Sequence, residues 1–312
     1  MHSEPFPKAD GNEFKGTWAN FKGATPKNLG MVIQVDIPED APKMFFESQH
    51  SVDVIGGNLK YNAFQFHFHA KSEHTIDGKR YDLEMHTVHE AEEKKTNEDG
   101  IEVWASAVGI MFDRENYDPT ITPAERMIVD KFFDSMNFGS TSVSKDDKGN
   151  TKLAEDVEVN YGDLTQIVNF ANRWAYSGSL TTPPCTRGVY FQVAQRVLPI
   201  SKKHYEQYLA RQAEHMSDFF RNKDGTEGTA TSTASDSSPA KATLEKLGNW
   251  RITNKIDGHN VRYMRAVFEK EEESDPKTTT MVLAILLGIS ILIAIILGVC
   301  ACKIMRSDKS ST

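Results

Sequence analysis

Cysteine is scarce in this sequence. Its 312 residues include three cysteines, Cys185, Cys300 and Cys302, and no Cys-x-x-Cys pair. A disulfide framework or a cysteine-based zinc module needs more cysteines at paired spacings. The sequence therefore predicts a domain that depends on a packed hydrophobic core.

Nucleotide and nucleic-acid signatures are also missing. The sequence contains no phosphate-binding glycine loop, no dinucleotide-binding glycine pattern and no internal repeat. The formal net charge is −8, and an acidic chain is repelled by a phosphate backbone. We expect no nucleic-acid partner. The first eight residues lack the basic start and apolar run of a signal peptide.

One long apolar run lies near the C-terminal end of the sequence. Residues 281–302 are 22 positions without a charged side chain. As a helix they would span about 33 Å, and the hydrocarbon core of a bilayer is about 30 Å thick. We expect a transmembrane helix at 281–302, preceded by an acidic linker at 271–280 and followed by a short basic tail at 303–312.

The charges after this run predict its orientation. Lys303, Arg306 and Lys309 follow it, and basic residues favour the cytoplasmic side. We expect a cytosolic tail and a domain, residues 1–270, that faces outward or into a lumen. The alternative is a tail-anchored protein with a cytosolic domain. Small residues in the run could pair two helices into a dimer, and Cys300 and Cys302 are candidate palmitoylation sites.

Residues 1–270 contain short apolar stretches separated by Gly, Pro, Asn and Asp turns, which is typical of strands. The clearest strands are predicted at 32–37, 60–69, 83–90, 102–112 and 188–197. Two helices are predicted, one capped by Thr122 with Glu125 and ending near Met136, the other from 202 to about 221. This pattern predicts a mixed α+β, β-dominated fold with a large twisted sheet and peripheral helices. The Gly/Ser/Thr/Ala-rich stretch 224–243 is predicted to be a loop of the same domain.

Three histidines fall on two of these predicted strands. Alternate side chains of a strand face the same way. On the first strand, one face carries Gln65, His67 and His69, and the opposite face carries Phe64, Phe66 and Phe68. On the second strand, one face carries Glu84, His86 and Val88. Side by side, the two strands bring three imidazoles together with an amide and a carboxylate behind them. Three neutral nitrogens with an open fourth position are the ligand set of a catalytic zinc.

The alternative for each histidine is an ordinary structural role. A lone His in a strand is usually a core or surface residue. A His-x-His pair facing one way, followed by a third His two residues after a Glu, favours a metal site. Metal-bound His usually donates its other N–H to a carboxylate, amide or carbonyl, and Gln65 and Glu84 are placed to accept from His67 and His86.

Two segments resemble the signature segments of the α-class carbonic anhydrases, and the apolar run at 281–302 suits a membrane-anchored type of this family. They are QFHFH…SEHTIDGKRYDLEMHTVH at 65–89 and WAYSGSLTTPPC at 174–185. The resemblance runs from about Gly30 to about Phe268 and implies a mostly antiparallel central sheet of about ten strands. It implies Zn²⁺ as the cofactor and carbon dioxide and bicarbonate as the substrates, interconverted by a metal-bound hydroxide.

The resemblance also assigns roles to single residues. It places the zinc ligands at His67, His69 and His86. Gln65, Glu84 and Asn249 take the positions that orient these ligands, Asn249 through its backbone carbonyl. Glu73 and Thr181 match the pair that orients the hydroxide, and Thr182 lies beside them in the pocket. Without the family, the segment 179–184 would be an ordinary proline-stiffened turn.

The same resemblance implies an apolar pocket wall, which suits a substrate with no strong hydrogen-bonding group. Its members are Val88, Ala107, Leu180, Val189 and Phe191. Ala107 replaces the usual Val and Phe191 the usual Trp, so we expect a reshaped pocket with altered inhibitor fit. Leu29 and Gln34 stand where the family tends to have Asn.

Two departures from the family pattern matter more. Met31 occupies the position of the histidine that exports protons in fast members, and a thioether cannot exchange protons. We therefore expect proton export to limit turnover, unless a neighbour such as His50 substitutes. The family's N-terminal segment, with its aromatic cluster and edge strand, is expected to be missing. Cys185 then is a free thiol or has its partner in that missing segment.

Three functions remain open on the sequence. The first is a membrane-anchored zinc enzyme that hydrates carbon dioxide. The second is a catalytically silent carbonic-anhydrase-like ectodomain that binds or adheres, although silent relatives usually lose a zinc-binding His. The third is a zinc esterase that uses the same hydroxide.

Overall fold

The computed structural model describes residues 14–29, 32–48, 59–97, 99–139, 144–145, 151–153, 156–182, 184–221 and 262–264. Residue contacts divide the chain into two units, Met1–Ala266 and Val267–Thr312. Every described residue belongs to the first unit.

The described residues form thirteen strands and three helices. The strands are β1 (Phe14–Thr17), β2 (Pro26–Asn28), β3 (Ile33–Asp36), β4 (Phe45–Ser48), β5 (Leu59–His69), β6 (Leu83–Thr96), β7 (Glu102–Asp113), β8 (Ser144–Lys145), β9 (Thr151–Lys152), β10 (Arg173–Ser179), β11 (Arg187–Ala194), β12 (Leu198–Pro199) and β13 (Arg262–Met264). The helices are α1 (Pro123–Met136), α2 (Tyr161–Gln166) and α3 (Lys202–Arg221).

Eleven strands form one sheet with the order β1-β4-β5-β6-β7-β11-β10-β13. Strand β3 pairs with β5 and β2, β12 pairs with β7, and β8 and β9 form a separate two-stranded sheet. The pairs of β7 with β11 and with β12 are parallel, and the other described pairs are antiparallel. The predicted β-dominated, mostly antiparallel sheet with few helices is confirmed.

The phenylalanine face of β5 forms part of the main core. Phe66 and Phe68 are completely buried, and burying a side chain of this size stabilises the fold by about 2–3 kcal/mol. Phe66 stacks on Tyr161 of α2 with ring centroids 5.4 Å apart, and Tyr208 of α3 donates to the Phe68 carbonyl over 3.0 Å. The helices therefore cover this face of the sheet, and the histidines of β5 project from the other.

Phe64 departs from the predicted alternation. The pairing of β5 with β6 shifts register between Ala63 and Gln65, which is a β-bulge. Tyr61 and Phe66 are both buried in the main core, so the parity of the strand changes at this point. Phe64 is 43% exposed rather than grouped with the buried phenylalanines, and the prediction that it shares their face was wrong.

The expectation that no edge strand or aromatic cluster precedes residue 30 was also wrong. Strand β1 pairs antiparallel with β4 at one edge of the sheet. Trp18 lies 5.1 Å from Phe170, and Phe21 lies 6.5 Å from both Phe66 and Tyr161, measured between ring centroids. These aromatic contacts join the first described segment to the main core.

Both predicted helices are present. Thr122 accepts from the Glu125 N–H over 3.2 Å, and the Glu125 carboxylate accepts from the Thr122 N–H over 2.8 Å, so the capping box of α1 is confirmed. Within the described residues, no helix combines the length and apolarity that a membrane crossing requires. The predicted loop at 224–243, linker at 271–280, transmembrane helix at 281–302 and tail at 303–312 lie outside the described residues.

His89 is a buried histidine of β6 that belongs to the core. Its Nδ1 donates to the Thr87 carbonyl over 3.0 Å, and its Nε2 accepts the Trp18 indole N–H over 3.4 Å. Burial lowers the pKa of His89 to about 3, although hydrogen bonds to the Thr87 and Ser106 backbone oppose this shift. The folded protein therefore holds His89 neutral, as an acceptor for Trp18.

This pKa predicts acid destabilisation. The unfolded chain binds a proton at His89 below pH of about 6.5, whereas the folded chain does not until about pH 3. Stability is therefore complete above the unfolded pKa and declines as the pH falls, by about 3 kcal/mol at pH 4. Urea unfolding of metal-free wild type and His89→Gln at pH 7 and pH 4 measures this loss. We expect the wild type to lose about 3 kcal/mol more than the variant, and equal losses would contradict the prediction.

Candidate metal centre

The register of β5 and β6 brings the three predicted histidines together. His67 lies opposite His86, and His69 lies opposite Glu84. The ring centroids of His67 and His69 are 4.9 Å apart, those of His67 and His86 5.4 Å, and those of His69 and His86 4.8 Å. One nitrogen from each ring lies within 4.8 Å of the others. The three imidazoles therefore form a nearly regular triangle.

Two of the three rings are oriented by their other nitrogen. His67 Nδ1 lies 3.0 Å from Gln65 Oε1, and His86 Nε2 lies 2.8 Å from Glu84 Oε1. Both oxygens are acceptors, so these nitrogens carry protons. The lone pairs of His67 Nε2 and His86 Nδ1 then remain available for a metal.

The Glu73 carboxylate lies close to two of the three imidazole rings. Its Oε2 atom lies 3.5 Å from His69 Nε2 and 3.9 Å from His86 Nδ1. His69 and His86 are almost fully buried, whereas His67 is half-buried. The site is therefore lined by protein at His69 and His86 and opens to solvent near His67.

The electrostatics favour a neutral His67 and an ionised Glu84. Burial lowers the pKa of His67 well below its ordinary value, and the neighbouring His69 and His86 lower it further. Burial alone would raise the pKa of Glu84, but His74 and His86 hold it well below its ordinary value. Burial would lower the pKa of His86, and the negative charge of Glu84 outweighs this effect and raises it.

Gly109 of β7 makes room for this arrangement. It pairs with His86 across the sheet. A Cβ at this position would lie 3.0 Å from Glu84 Oε1 and 3.7 Å from His86 Cδ2. Only glycine therefore lets the Glu84 carboxylate lie against the strand without displacement.

The donor set fits zinc. Three imidazole nitrogens on one side, with partners that fix the tautomer of two rings, match a three-histidine site with an open position. A second group of potential ligands, His74, Glu84 and His86, also has its atoms within 4.8 Å of one another. In this second group, His74 Nδ1 lies 2.6 Å and His86 Nε2 lies 2.8 Å from Glu84 Oε1. These are hydrogen-bond distances between N–H donors and an acceptor. Of the two groups, His67, His69 and His86 are therefore the one whose geometry suits a metal position.

The predicted apolar wall lies beside the histidines. Four of its members are buried in one hydrophobic cluster and the fifth packs against that cluster: Val88, Ala107, Val189 and Phe191, with Leu180 at the edge. The Phe191 ring lies 5.6 Å from the His86 ring. The wall and the metal position therefore share one face of the sheet.

The structure describes only some of the remaining predicted site residues. Thr181 is half-buried and Thr182 exposed, in the segment after β10, where the Thr182 carbonyl accepts from the Cys185 N–H over 2.9 Å. Asn249, Met31 and His50 lie outside the described residues, so the roles assigned to them stay predictions.

Three other sequence positions discussed above are described. Gln34 pairs with His67 in the β3–β5 register and donates to Asp36 over 2.6 Å. Leu29 is exposed. Cys185 is half-buried and is not in a disulfide within the described part of the chain.

Two residues of the site were missed by the sequence analysis. His74 Nδ1 lies 2.6 Å from Glu84 Oε1, and His74 Nε2 lies 2.6 Å from the Tyr176 hydroxyl. His74 stands in the first signature segment and Tyr176 in the second, but they are 102 positions apart. The sequence did show that His74 directly follows the predicted site residue Glu73. Strand alternation, however, does not connect His74 to Glu84.

Comparison with known proteins places the chain in a family. The profile of the eukaryotic-type carbonic anhydrases matches residues 7–228. This match begins earlier than the expected Gly30 and ends before Asn249. Alpha carbonic anhydrase 7 of Arabidopsis thaliana is 30% identical over 204 residues, which cover 63% of this chain and 58% of that protein. Dioscorin DB3L of Dioscorea polystachya is 26% identical over 182 residues, covering 58% and 53% respectively.

A solved structure shows the same fold. Carbonic anhydrase Cah3 from Chlamydomonas reinhardtii, in complex with acetazolamide, aligns with a TM-score of 0.51 at 21% identity, over 84% of this chain and 86% of that one. The chain spans little more than half the length of the two relatives named above. The family profile covers most of the chain and includes every described residue of the metal site. The chain belongs to the eukaryotic-type carbonic anhydrase family.

Proposed function

We propose that this chain is a zinc-dependent carbonic anhydrase that interconverts carbon dioxide and bicarbonate. The observation that carries the proposal is the convergence of one nitrogen each from His67, His69 and His86 within 4.8 Å, beside a buried apolar wall. Membership of the family supports the same activity.

Zinc would be held by His67 Nε2, His69 Nε2 and His86 Nδ1. When bound by three neutral ligands, zinc lowers the pKa of its water to about 7 and so supplies a nucleophile at neutral pH, a magnitude established on carbonic anhydrases themselves. The chain's contribution is to orient these ligands, which Gln65 and Glu84 do for His67 and His86.

The other residues position the reactants. Glu73, when ionised, only accepts hydrogen bonds, so it can accept a hydrogen bond from the Thr181 hydroxyl. The Thr181 oxygen then accepts a hydrogen bond from the attacking nucleophile, which directs the nucleophile's lone pair at the substrate. Val88, Ala107 and Phe191 exclude water and hold carbon dioxide by shape, because this substrate has no strong hydrogen-bonding group.

The test is metal analysis together with a carbon dioxide hydration assay on the purified chain. We expect one zinc per chain and hydration activity that a chelator removes. A chain without stoichiometric zinc would exclude the enzyme and leave the silent binding domain. Zinc with ester hydrolysis but no hydration would leave the esterase.

Proton export is expected to limit turnover. Hydration releases one proton per bicarbonate, and Met31 offers no titratable group at the exporting position. Turnover at saturating carbon dioxide should rise with imidazole concentration, and Met31→His should raise turnover in weak buffer. Fast turnover that does not depend on buffer would contradict this prediction.

We further propose that residues 281–302 anchor the domain in a membrane with the C-terminal tail in the cytosol. The support is the uncharged run of 22 residues and the basic residues that follow it. Protease treatment of sealed membranes tests the orientation: digestion of the domain from the cytosolic side would favour the tail-anchored alternative. Crosslinking in the membrane tests a dimer formed through this run.

A further inference from the structure

We propose that Trp104 is a positioning residue for the proposed reaction, which acts by holding the loop that carries Thr181. This loop (the threonine loop) consists of the described residues 180–182 and 184–186 between β10 and β11. The inference rests on the proposed function, because Thr181 matters to the reaction only if a nucleophile forms beside it. It adds a residue of β7 that lies outside both signature segments.

Two backbone hydrogen bonds brace the threonine loop within itself. The Leu180 N–H donates to the Thr186 carbonyl over 2.9 Å. The Cys185 N–H donates to the Thr182 carbonyl, also over 2.9 Å. Both bonds join residues of the same loop, so they do not attach it to the rest of the domain. The position of Thr181 therefore depends on how the base of the loop, where β11 begins, is attached to the sheet.

The Trp104 side chain supplies an attachment at this base. Its indole N–H donates over 3.0 Å to the carbonyl of Arg187, the first residue of β11. The parallel pairing of β7 with β11 begins two residues later, where Val189 lies opposite Ala105. The indole hydrogen bond therefore extends the attachment of β11 to β7 beyond the strand pairing, toward the threonine loop.

Gly188 lets the backbone of β11 lie against the indole. Its φ is 93°, in the region that favours glycine. A Cβ at Gly188 would lie 2.9 Å from Trp104 Cδ1 and would overlap the Glu102 carbonyl. The close approach of the two strands at this point leaves the indole little room to take another position. The hydrogen bond to Arg187 is therefore held by packing as well as by its own geometry.

Trp104 also borders the proposed pocket. Trp104 and Leu180 are both partly buried and pack against the hydrophobic cluster that contains the pocket wall. Loss of the indole N–H would release the Arg187 carbonyl to water and allow the base of the threonine loop to shift. Misplacement of a reacting group by about 1 Å can cost about 100-fold in rate. A small shift at the base is therefore enough to lower the reactivity of the site.

The experiment compares Trp104→Phe with Trp18→Phe. Both tryptophans are partly buried and donate through the indole N–H, but Trp18 donates to His89 Nε2 over 3.4 Å, on the core side of the sheet. Each variant keeps an aromatic ring and loses one donor. The first readout is amide hydrogen exchange at Leu180 and Cys185, which requires neither zinc nor activity. The second is kcat/KM for carbon dioxide hydration per zinc-loaded chain.

We expect the two loop amides of Trp104→Phe to exchange about fivefold faster than those of the parent, which is the effect of one hydrogen bond. We expect kcat/KM to fall about tenfold at unchanged zinc content, because a displaced hydroxyl costs less than the about 100-fold expected for its removal. Trp18→Phe should match the parent in both readouts. A Trp104→Phe variant that matches Trp18→Phe in either readout would overturn the inference.

A double-mutant cycle with Thr181→Val separates positioning from a general loss of folded enzyme. If Trp104 acts through the Thr181 hydroxyl, Trp104→Phe should lower kcat/KM no further once that hydroxyl is absent. A general loss would multiply the two effects, and this result would overturn the inference. A parent chain without zinc would overturn the proposed function and this inference with it. A zinc-loaded, active parent that is indifferent to Trp104→Phe would overturn this inference alone.

Discussion

Replacement of His86 by alanine is expected to remove stoichiometric zinc and to lower carbon dioxide hydration by more than about 1000-fold. Two imidazoles remain in the variant, and the third position of the metal becomes open to water. The Glu84 carboxylate, which accepts from His86 over 2.8 Å, also loses one of its donors inside the core. The measurement is zinc per chain and hydration rate after the same purification.

His89→Gln is the matched control for this prediction. It also removes a buried imidazole from β6, three positions further along, but His89 contacts Phe46 and Trp18 on the core side of the sheet. This variant should keep its zinc and its hydration activity at pH 7. A His86→Ala protein that retains both would contradict the assignment of the metal position, and loss of zinc in both variants would show a general effect on folding.

The second large effect is expected at Thr181. Thr181→Val keeps the shape of the side chain and removes the hydroxyl that is proposed to orient the nucleophile. Misorientation of a reacting group costs about 100-fold in rate, so turnover should fall by about this factor while zinc content is unchanged. Hydration kinetics and metal analysis on the same preparation measure both.

Thr181→Ser separates the hydroxyl from the packing of the methyl group. This variant keeps the oxygen and should retain most of the activity. Glu73→Gln should resemble Thr181→Val, because an amide can donate where the carboxylate only accepts. Full activity in Thr181→Val would remove Thr181 and Glu73 from the proposed mechanism.

Strand periodicity explains why much of the site could be predicted from the sequence. Side chains alternate along a regular strand, so His67 and His69 had to face away from Phe66 and Phe68. Only one register of β6 against β5 then joins His86 to His67. The capping box at Thr122 was similarly local, since its two hydrogen bonds join residues within one helical turn.

Other elements depend on partners that are distant in the sequence. Strand β10 was not predicted as a strand because 173–179 includes Gly178 and two serines, and its conformation follows from pairing with β11 and β13. Helix α2 has six residues, too few for a helical period to be detected. The exposure of Phe64 depends on a bulge that exists only when β6 is paired with β5.

The sequence by itself predicted three imidazoles, an amide and a carboxylate at strand spacing, and its resemblance to the carbonic anhydrases implied an apolar wall beside them. Tertiary structure decided which of the 10 histidines offer lone pairs to one point. That choice depends on the pairing register of β5 and β6, which places His67 opposite His86. The groups that meet the second ring nitrogens of these two histidines, Gln65 and Glu84, lie on the same strands as the rings. The Tyr176 hydroxyl lies 2.6 Å from His74 Nε2 across 102 positions of sequence, and only folding brings these two groups together.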